Sequence, residues 1–95
     1  MYAVIFKAEI KTLDSNYAPM AKRMRELAIN KYGCSDFIST TENNLEIAIS
    51  YWNNLDQIKQ WKQDSEHLAA QDKGKSIWYK SYTVQVVEII REYNA

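Results

Sequence analysis

The chain opens on strict alternation. Tyr2, Val4, Phe6, Ala8 and Ile10 fall on one side of an extended segment, and Ala3, Ile5, Lys7, Glu9 and Lys11 on the other. A period of two with β-branched and aromatic residues predicts a strand from Tyr2 to Ile10. The joint from Thr12 to Asn16 is polar, and Asp14, Ser15 and Asn16 are each competent N-caps. Pro19 suits a first helical turn, where its missing N–H costs nothing. Met20, Met24, Leu27 and Ala28 then follow helical spacing, while Lys22, Arg23, Arg25 and Glu26 fall on other faces. The pattern predicts an amphipathic helix from about Tyr17 to Tyr32, stopped by Gly33. Cys34 to Thr41 reads as a second strand, Glu42-Asn43-Asn44 as a hairpin turn, and Leu45 to Trp52 as a third strand. Here Ile47, Ile49 and Tyr51 share one face, and Ala48, Ser50 and Trp52 share the other.

Asn53 or Asn54 can cap the next helix, in which Leu55, Ile58, Trp61 and Lys62 repeat at helical spacing. Asp64 and Ser65 can cap a further helical piece to about Asp72, with Gly74 as its end. Ser76 to Tyr79 reads as an irregular link, and Tyr82 to Tyr93, rich in Val and Ile, as a long fourth strand. The order strand, helix, strand, strand, helix, strand is two βαβ-like halves in tandem. Right-handed crossovers then predict an α+β, ferredoxin-like βαββαβ sandwich, with a four-stranded antiparallel sheet and the helices on one face. The other sheet face would carry residues such as Ile5, Ile49 and Val84 or their alternates. An apolar sheet face in water exceeds what soluble monomers tolerate, so the strand pattern predicts a face-to-face homodimer.

Length and composition narrow the function. The 95 residues fit one domain, spanning 1–95. With 12 Lys+Arg against 12 Asp+Glu, the chain lacks the basic surplus that nucleic acid or anionic membrane requires. The apolar run Ala3 to Phe6 is too short for a signal-peptide core or a membrane span, so a cytoplasmic location is expected. One cysteine, Cys34, excludes an internal disulfide and any Cys-based zinc cluster, and a buried inert thiol is the expected state. With only Gly33 and Gly74 as glycines, no dinucleotide fingerprint or P-loop exists. No metal site is expected, and no cofactor.

Aromatic residues are the unusual feature: 13% of the chain, with 3 Trp and 7 Tyr. Trp52, Trp61, Trp78 and Tyr79 gather around the second helical region. If the helices close over the sheet, a cavity there would be lined by Tyr51, Trp61, His67, Trp78 and Tyr79, the form a small-molecule site usually takes. His67 is the single histidine and the natural proton acceptor near neutral pH. Trp61 and His67 are six positions apart, so on an unbroken helix they diverge by about 120°. They converge only if the helix breaks near Asp64 and Ser65.

These residues also carry a resemblance. Met24-Arg25-Glu26-Leu27-Ala28, Gly33-Cys34, Glu46-Ile47-Ala48-Ile49-Ser50-Tyr51-Trp52, Ile58, Trp61-Lys62, Glu66-His67, Ala70-Gln71, Gly74, Trp78-Tyr79 and Tyr82 resemble the antibiotic biosynthesis monooxygenase-like domain family over nearly the whole chain. The resemblance implies the dimeric α+β barrel. It also implies a cofactor-independent monooxygenase that oxidises a small electron-rich aromatic with O₂. In that role His67 would accept the phenolic proton, Trp61 and Trp78 would stack on the ring, and Tyr51 or Tyr79 would orient an oxygen. The alternative is a non-catalytic dimeric protein that binds a ligand or serves in stress. Haem-degrading relatives carry an Asn on the first strand and a His ten residues after the helical Trp. Here the first strand has no Asn, the position ten after Trp61 is Gln71, and His67 lies about one turn away, which argues against haem degradation.

Overall fold

β1 (Tyr2–Ile10) is the organising strand, because both of its edges are taken. In the computed structural model, which describes residues 1–95, it pairs antiparallel with β3 (Leu45–Trp52) on one side and β4 (Tyr79–Glu88) on the other. β2 (Asp36–Glu42) pairs antiparallel with β3, giving the sheet order β2-β3-β1-β4. Asn43 sits in the hairpin between β2 and β3 with φ of 54°, a left-handed conformation that Asn tolerates. α1 (Tyr17–Asn30) crosses from β1 to β2, and α2 (Leu55–Gln63) with α3 (Ser65–Lys73) from β3 to β4. This is the α+β ferredoxin-like sandwich that the alternation predicts.

The core lies between the sheet and the helices. It is built from Val4, Leu27, Ala28, Cys34, Trp52, Ile58 and Trp61. Trp52 is wholly enclosed and donates its indole N–H to Ser50 Oγ at 2.8 Å, so a large ring is buried without stranding its polar atom. Cys34 is buried, donates to the Asp36 carbonyl at 3.0 Å, and has its thiol pKa pushed up by burial. That makes it the inert thiol expected.

The boundaries differ from the expectation in four places, the first being β2, which runs from Asp36 to Glu42 and not from Cys34 to Thr41. α1 stops at Asn30 rather than Tyr32, because the chain turns there into Gly33 at φ +87°. A side chain at Gly33 would also meet the Gln57 amide, 2.5 Å from an ideal Cβ. Gly74 does not end α3. It stays right-handed, and the helix continues through a π-helical turn (Gly74–Trp78), in which the Tyr79 N–H reaches the Gly74 carbonyl. Its lack of a side chain serves a close approach instead, since a Cβ would stand 3.0 Å from the Tyr79 ring. Finally, β4 runs from Tyr79 to Glu88, not from Tyr82 to Tyr93. Glu88 already pairs with Tyr2, and the Ile89 N–H takes the Met1 carbonyl. β1 offers nothing further to pair with, so Val/Ile content alone cannot extend the strand.

The register fixes the faces. Val4, Phe6, Phe37, Ala48, Tyr82 and Val84 face the helices. Their neighbours, among them Ile5, Ile38, Ile47, Ile49 and Tyr51, form the open face. Val84 is therefore not on the open face. On β4 that face carries Ser81, Thr83, Gln85 and, opposite Ala3, Val87, so the uncovered apolar band is widest over β2, β3 and β1 and reaches β4 only at Val87.

Candidate functional site

The helix pair breaks where the caps allow. Asp64 takes an extended ψ of 136° between α2 and α3, and its side chain accepts the Glu66 N–H at 2.8 Å. The Tyr32 hydroxyl donates to its other oxygen at 2.5 Å, and Lys31 stands 3.8 Å away. The segment just after α1 thus clamps the break. The change of direction swings His67 back over Trp61, with ring centroids 4.4 Å apart and the rings edge-on at 73°. Trp61 itself is anchored. Its N–H donates to the Met24 carbonyl at 3.2 Å, and its ring packs against Trp52 at 5.1 Å and Phe37 at 6.2 Å.

Under these helices lies a cavity of about 470 Å³, within the range that holds drug-sized ligands. Trp61, His67, Trp78 and Tyr79 line it. Tyr51 does not. It shares the face of Ile47 and Ile49, across the sheet from the cavity, and borders a separate surface hollow with Met1 and Ile38. The reason is strand parity. Trp52 and Ser50 point at the helices, so Tyr51 between them must point away.

Tyr79 enters the cavity through an irregularity. The β1–β4 register pairs Glu9 with Ser81 but Ile10 with Tyr79, leaving Lys80 as an extra residue. Lys80 reaches Glu9 at 3.6 Å, and Tyr79 is turned inward beside Phe6 at a centroid distance of 5.4 Å. Bulges re-aim side chains in this way.

Two polar groups face the cavity that the sequence reading passed over, Tyr17 and Glu46. The Tyr17 hydroxyl donates to Glu46 Oε2 at 2.5 Å, the Tyr79 hydroxyl donates to Tyr17 at 3.2 Å, and Thr41 donates to the same carboxylate oxygen at 3.3 Å. Trp78 packs edge-on against Tyr17 at 5.0 Å and donates its N–H to Asp14 at 3.2 Å. Burial, and then the hydrogen bond to Glu46, drives the Tyr17 phenol well above its ordinary pKa, and burial raises that of Tyr79. Both stay protonated as donors. The signal for Glu46 was present in the sequence: it shares the face of Ala48, Ser50 and Trp52, and a charge at an inward strand position requires a partner.

His67 is a further polar element, along with Lys22, Arg25, Lys62 and Gln71, which also line the cavity. Burial, reinforced by the Lys62 charge and opposed by Asp64, pushes its pKa down to about 4, so the imidazole is neutral at physiological pH. Nδ1 is buried without a hydrogen-bond partner. A bare lone pair in such a place costs less than a bare N–H. We therefore assign the proton to Nε2, which makes His67 a hydrogen-bond donor. The role of proton acceptor expected from its type fits this setting poorly, because its only lone pair is the sealed one. His67 and Glu46 stand toward opposite ends of the cavity. Trp61 and His67 pack above Trp52, six residues along β3 from Glu46, on the order of 20 Å of extended chain.

No protein-family model matches the chain. The protein YqjZ of Bacillus subtilis, itself uncharacterised, is 39% identical over 92 residues, covering 96% of this chain and 81% of that protein. Among solved structures, SnoaB from Streptomyces nogalater, described as a cofactor-independent oxygenase, superimposes with a TM-score of 0.79 at 10% identity, covering 96% of this chain and 94% of its own. Rv0793 from Mycobacterium tuberculosis superimposes with a TM-score of 0.82 at 11% identity, covering 98% of both chains. A structure described as an antibiotic biosynthesis monooxygenase gives 0.76 at 12% identity, over 96% of this chain and all of its own. At these identities the solved structures speak for the fold.

Proposed function

We propose that this chain, which belongs to the family of Bacillus subtilis YqjZ and has the antibiotic biosynthesis monooxygenase-like fold, oxygenates a small electron-rich aromatic with O₂ alone. One observation carries the reading. A cavity large enough for a two- or three-ring aromatic is walled by indole and phenol rings, with the neutral His67 imidazole toward one end and the Tyr17–Glu46 pair toward the other. SnoaB, described as a cofactor-independent oxygenase, shares the fold.

The chemistry suits an anthrone or quinol. For an anthrone, a ring CH₂ and O₂ become a ring C=O and H₂O; for a quinol, the quinol and O₂ become a hydroxyquinone and H₂O; in both the substrate is the only reductant. The substrate must first lose a proton so that its ring can give an electron to O₂. The chain's part is to bind, orient and exclude water. Trp61 and Trp78 contact the ring system, and the Nε2–H of His67 donates to an oxygen on which negative charge builds. Tyr79 orients a second oxygen. The leaving proton has an acceptor in the Glu46 carboxylate, reached through Tyr17.

The test is aerobic turnover of an anthrone and quinol panel by metal-free protein, with His67→Ala alongside. We expect product formation well above buffer, and a loss of about 10- to 1,000-fold in the variant, the range for removing one positioned donor. Binding of the panel without turnover by the wild type would instead assign the chain to ligand binding. We also propose that the working form is a homodimer. Ile38 is 52% exposed on the open face, beside Ile47, Ile49 and Ile5.

A further inference from the structure

The hydrogen-bond chain at the Glu46 end has only one possible direction. A carboxylate has no proton to give, so Tyr17 must donate to Glu46. Having spent its single proton, Tyr17 can only accept from Tyr79. Tyr79 in turn has spent its proton on Tyr17. What remains toward the cavity is acceptor capacity: a lone pair on Tyr79 and, with both side-chain bonds going to Oε2, the other oxygen of Glu46. This wall cannot offer a proton to a carbonyl, an ether or an anion.

We propose that Tyr79, Tyr17 and Glu46 form a hydroxyl-reading subsite that accepts a neutral aromatic ligand through an aryl O–H, and that rejects aryl ethers and aryl carboxylates at this end. The proposal rests on the aromatic-ligand reading above and goes further, since it states which functional group the ligand must carry and where. A methyl ether leaves the Tyr79 lone pair without a donor in a half-buried wall, and an anion meets the Glu46 carboxylate, the cavity's cations Lys22, Arg25 and Lys62 lying outside this chain of bonds. Burial sharpens both penalties, as it strengthens every unpaired or like-charged contact. Three elements build the subsite: the first turn of α1, the start of β3, and the bulged start of β4. Each contributes one member, so the direction of the chain belongs to the fold and not to one loop.

The experiment is equilibrium dialysis of the whole protein at neutral pH without turnover, using 2-naphthol, 2-methoxynaphthalene and unsubstituted naphthalene. We expect 2-naphthol to bind roughly 10- to 100-fold tighter than the ether, the discrimination that one buried hydrogen bond to a prepared acceptor supports. Naphthalene should fall below naphthol as well, which separates hydrogen bonding from bulk. Glu46→Gln should bring the naphthol-to-ether ratio toward one. Tyr17→Phe gives an independent reading should Glu46→Gln fail to fold. With no acceptor behind it, the Tyr79 O–H turns to the cavity and the ether should gain affinity. A wild-type ratio near one, ratios that neither variant alters, or no binding of any probe would overturn the subsite. Loss of oxygenation with the naphthol preference intact would instead remove the catalytic reading and leave the subsite standing.

Discussion

His67 shows how far one residue's setting can move its chemistry. As a free side chain it would titrate near 6.5, and here burial brings it to about 4. The unfolded chain therefore binds the proton more tightly than the folded one. Stability is fully present above about pH 6.5 and is lost as pH falls toward 4, by up to about 3 kcal/mol. NMR titration should place the His67 midpoint near 4, and His67→Phe should flatten the acid limb of the stability curve between those two values. A midpoint at 6.5 would mean an open, hydrated imidazole. The charged groups that modify this effect of burial, Lys62 and Asp64, lie at the end of α2 and at the break that follows it. If catalysis needs the neutral ring, activity should persist to about pH 4, not fade below 6.5. Residue type made His67 conspicuous in the sequence, but its protonation and tautomer depend on neighbours that no spacing rule brings together.

At the scale of elements, the break at Asp64 was readable because caps are local chemistry. Asp64 followed by Ser65 and Glu66 carries the start signal in three consecutive letters. Asp64→Ala removes the acceptor of the Glu66 N–H and of the Tyr32 hydroxyl. We expect a loss of roughly 1–2 kcal/mol, followed by urea unfolding, together with a change in Trp61 emission as His67 shifts. Tyr32→Phe keeps the cap and should cost less. The start of β4 was not readable in the same way. A bulge is a mismatch between two strands, and Lys80 betrays it only once Glu9 is placed opposite Ser81. Deleting Lys80 should remove the bulge and restore simple alternation, leaving Tyr79 opposite Ile10, one step from outward-facing Ser81, and so still in the cavity. Naphthol binding retained with little loss of stability is the expected result. Tyr51 failed for a related reason. With Ile47, Ile49 and Tyr51 on one face and Ala48, Ser50 and Trp52 on the other, period two names both faces of β3 without saying which is covered.

For the molecule as a whole, strand order and helix placement were legible because alternation and helical periodicity agree along the entire chain. What faces the open side was only half legible. Its apolar band, Ile5, Ile38, Ile47 and Ile49, meets β4 only at Val87, so a second copy would seat mainly on β1, β2 and β3. Light scattering at micromolar concentration should give twice the 11.1 kDa chain mass, and Ile49→Lys should halve it while leaving the cavity's ligand affinity in place. A monomeric wild type would remove the dimer from the proposal. α3 has a different bearing on the molecule. It contributes no fully buried residue, and the Arg23–Glu66 ion pair at 2.7 Å is exposed on both sides. Solvent-exposed pairs of this kind are worth little, so the roof of the cavity is the least costly part of the fold to open. Amide hydrogens of Ser65–Lys73 should exchange sooner than those of β1 and β3, and a bound aromatic should slow them selectively. Access to the cavity can then be widened by the brief unfolding of one nine-residue helix while the sheet beneath holds its shape.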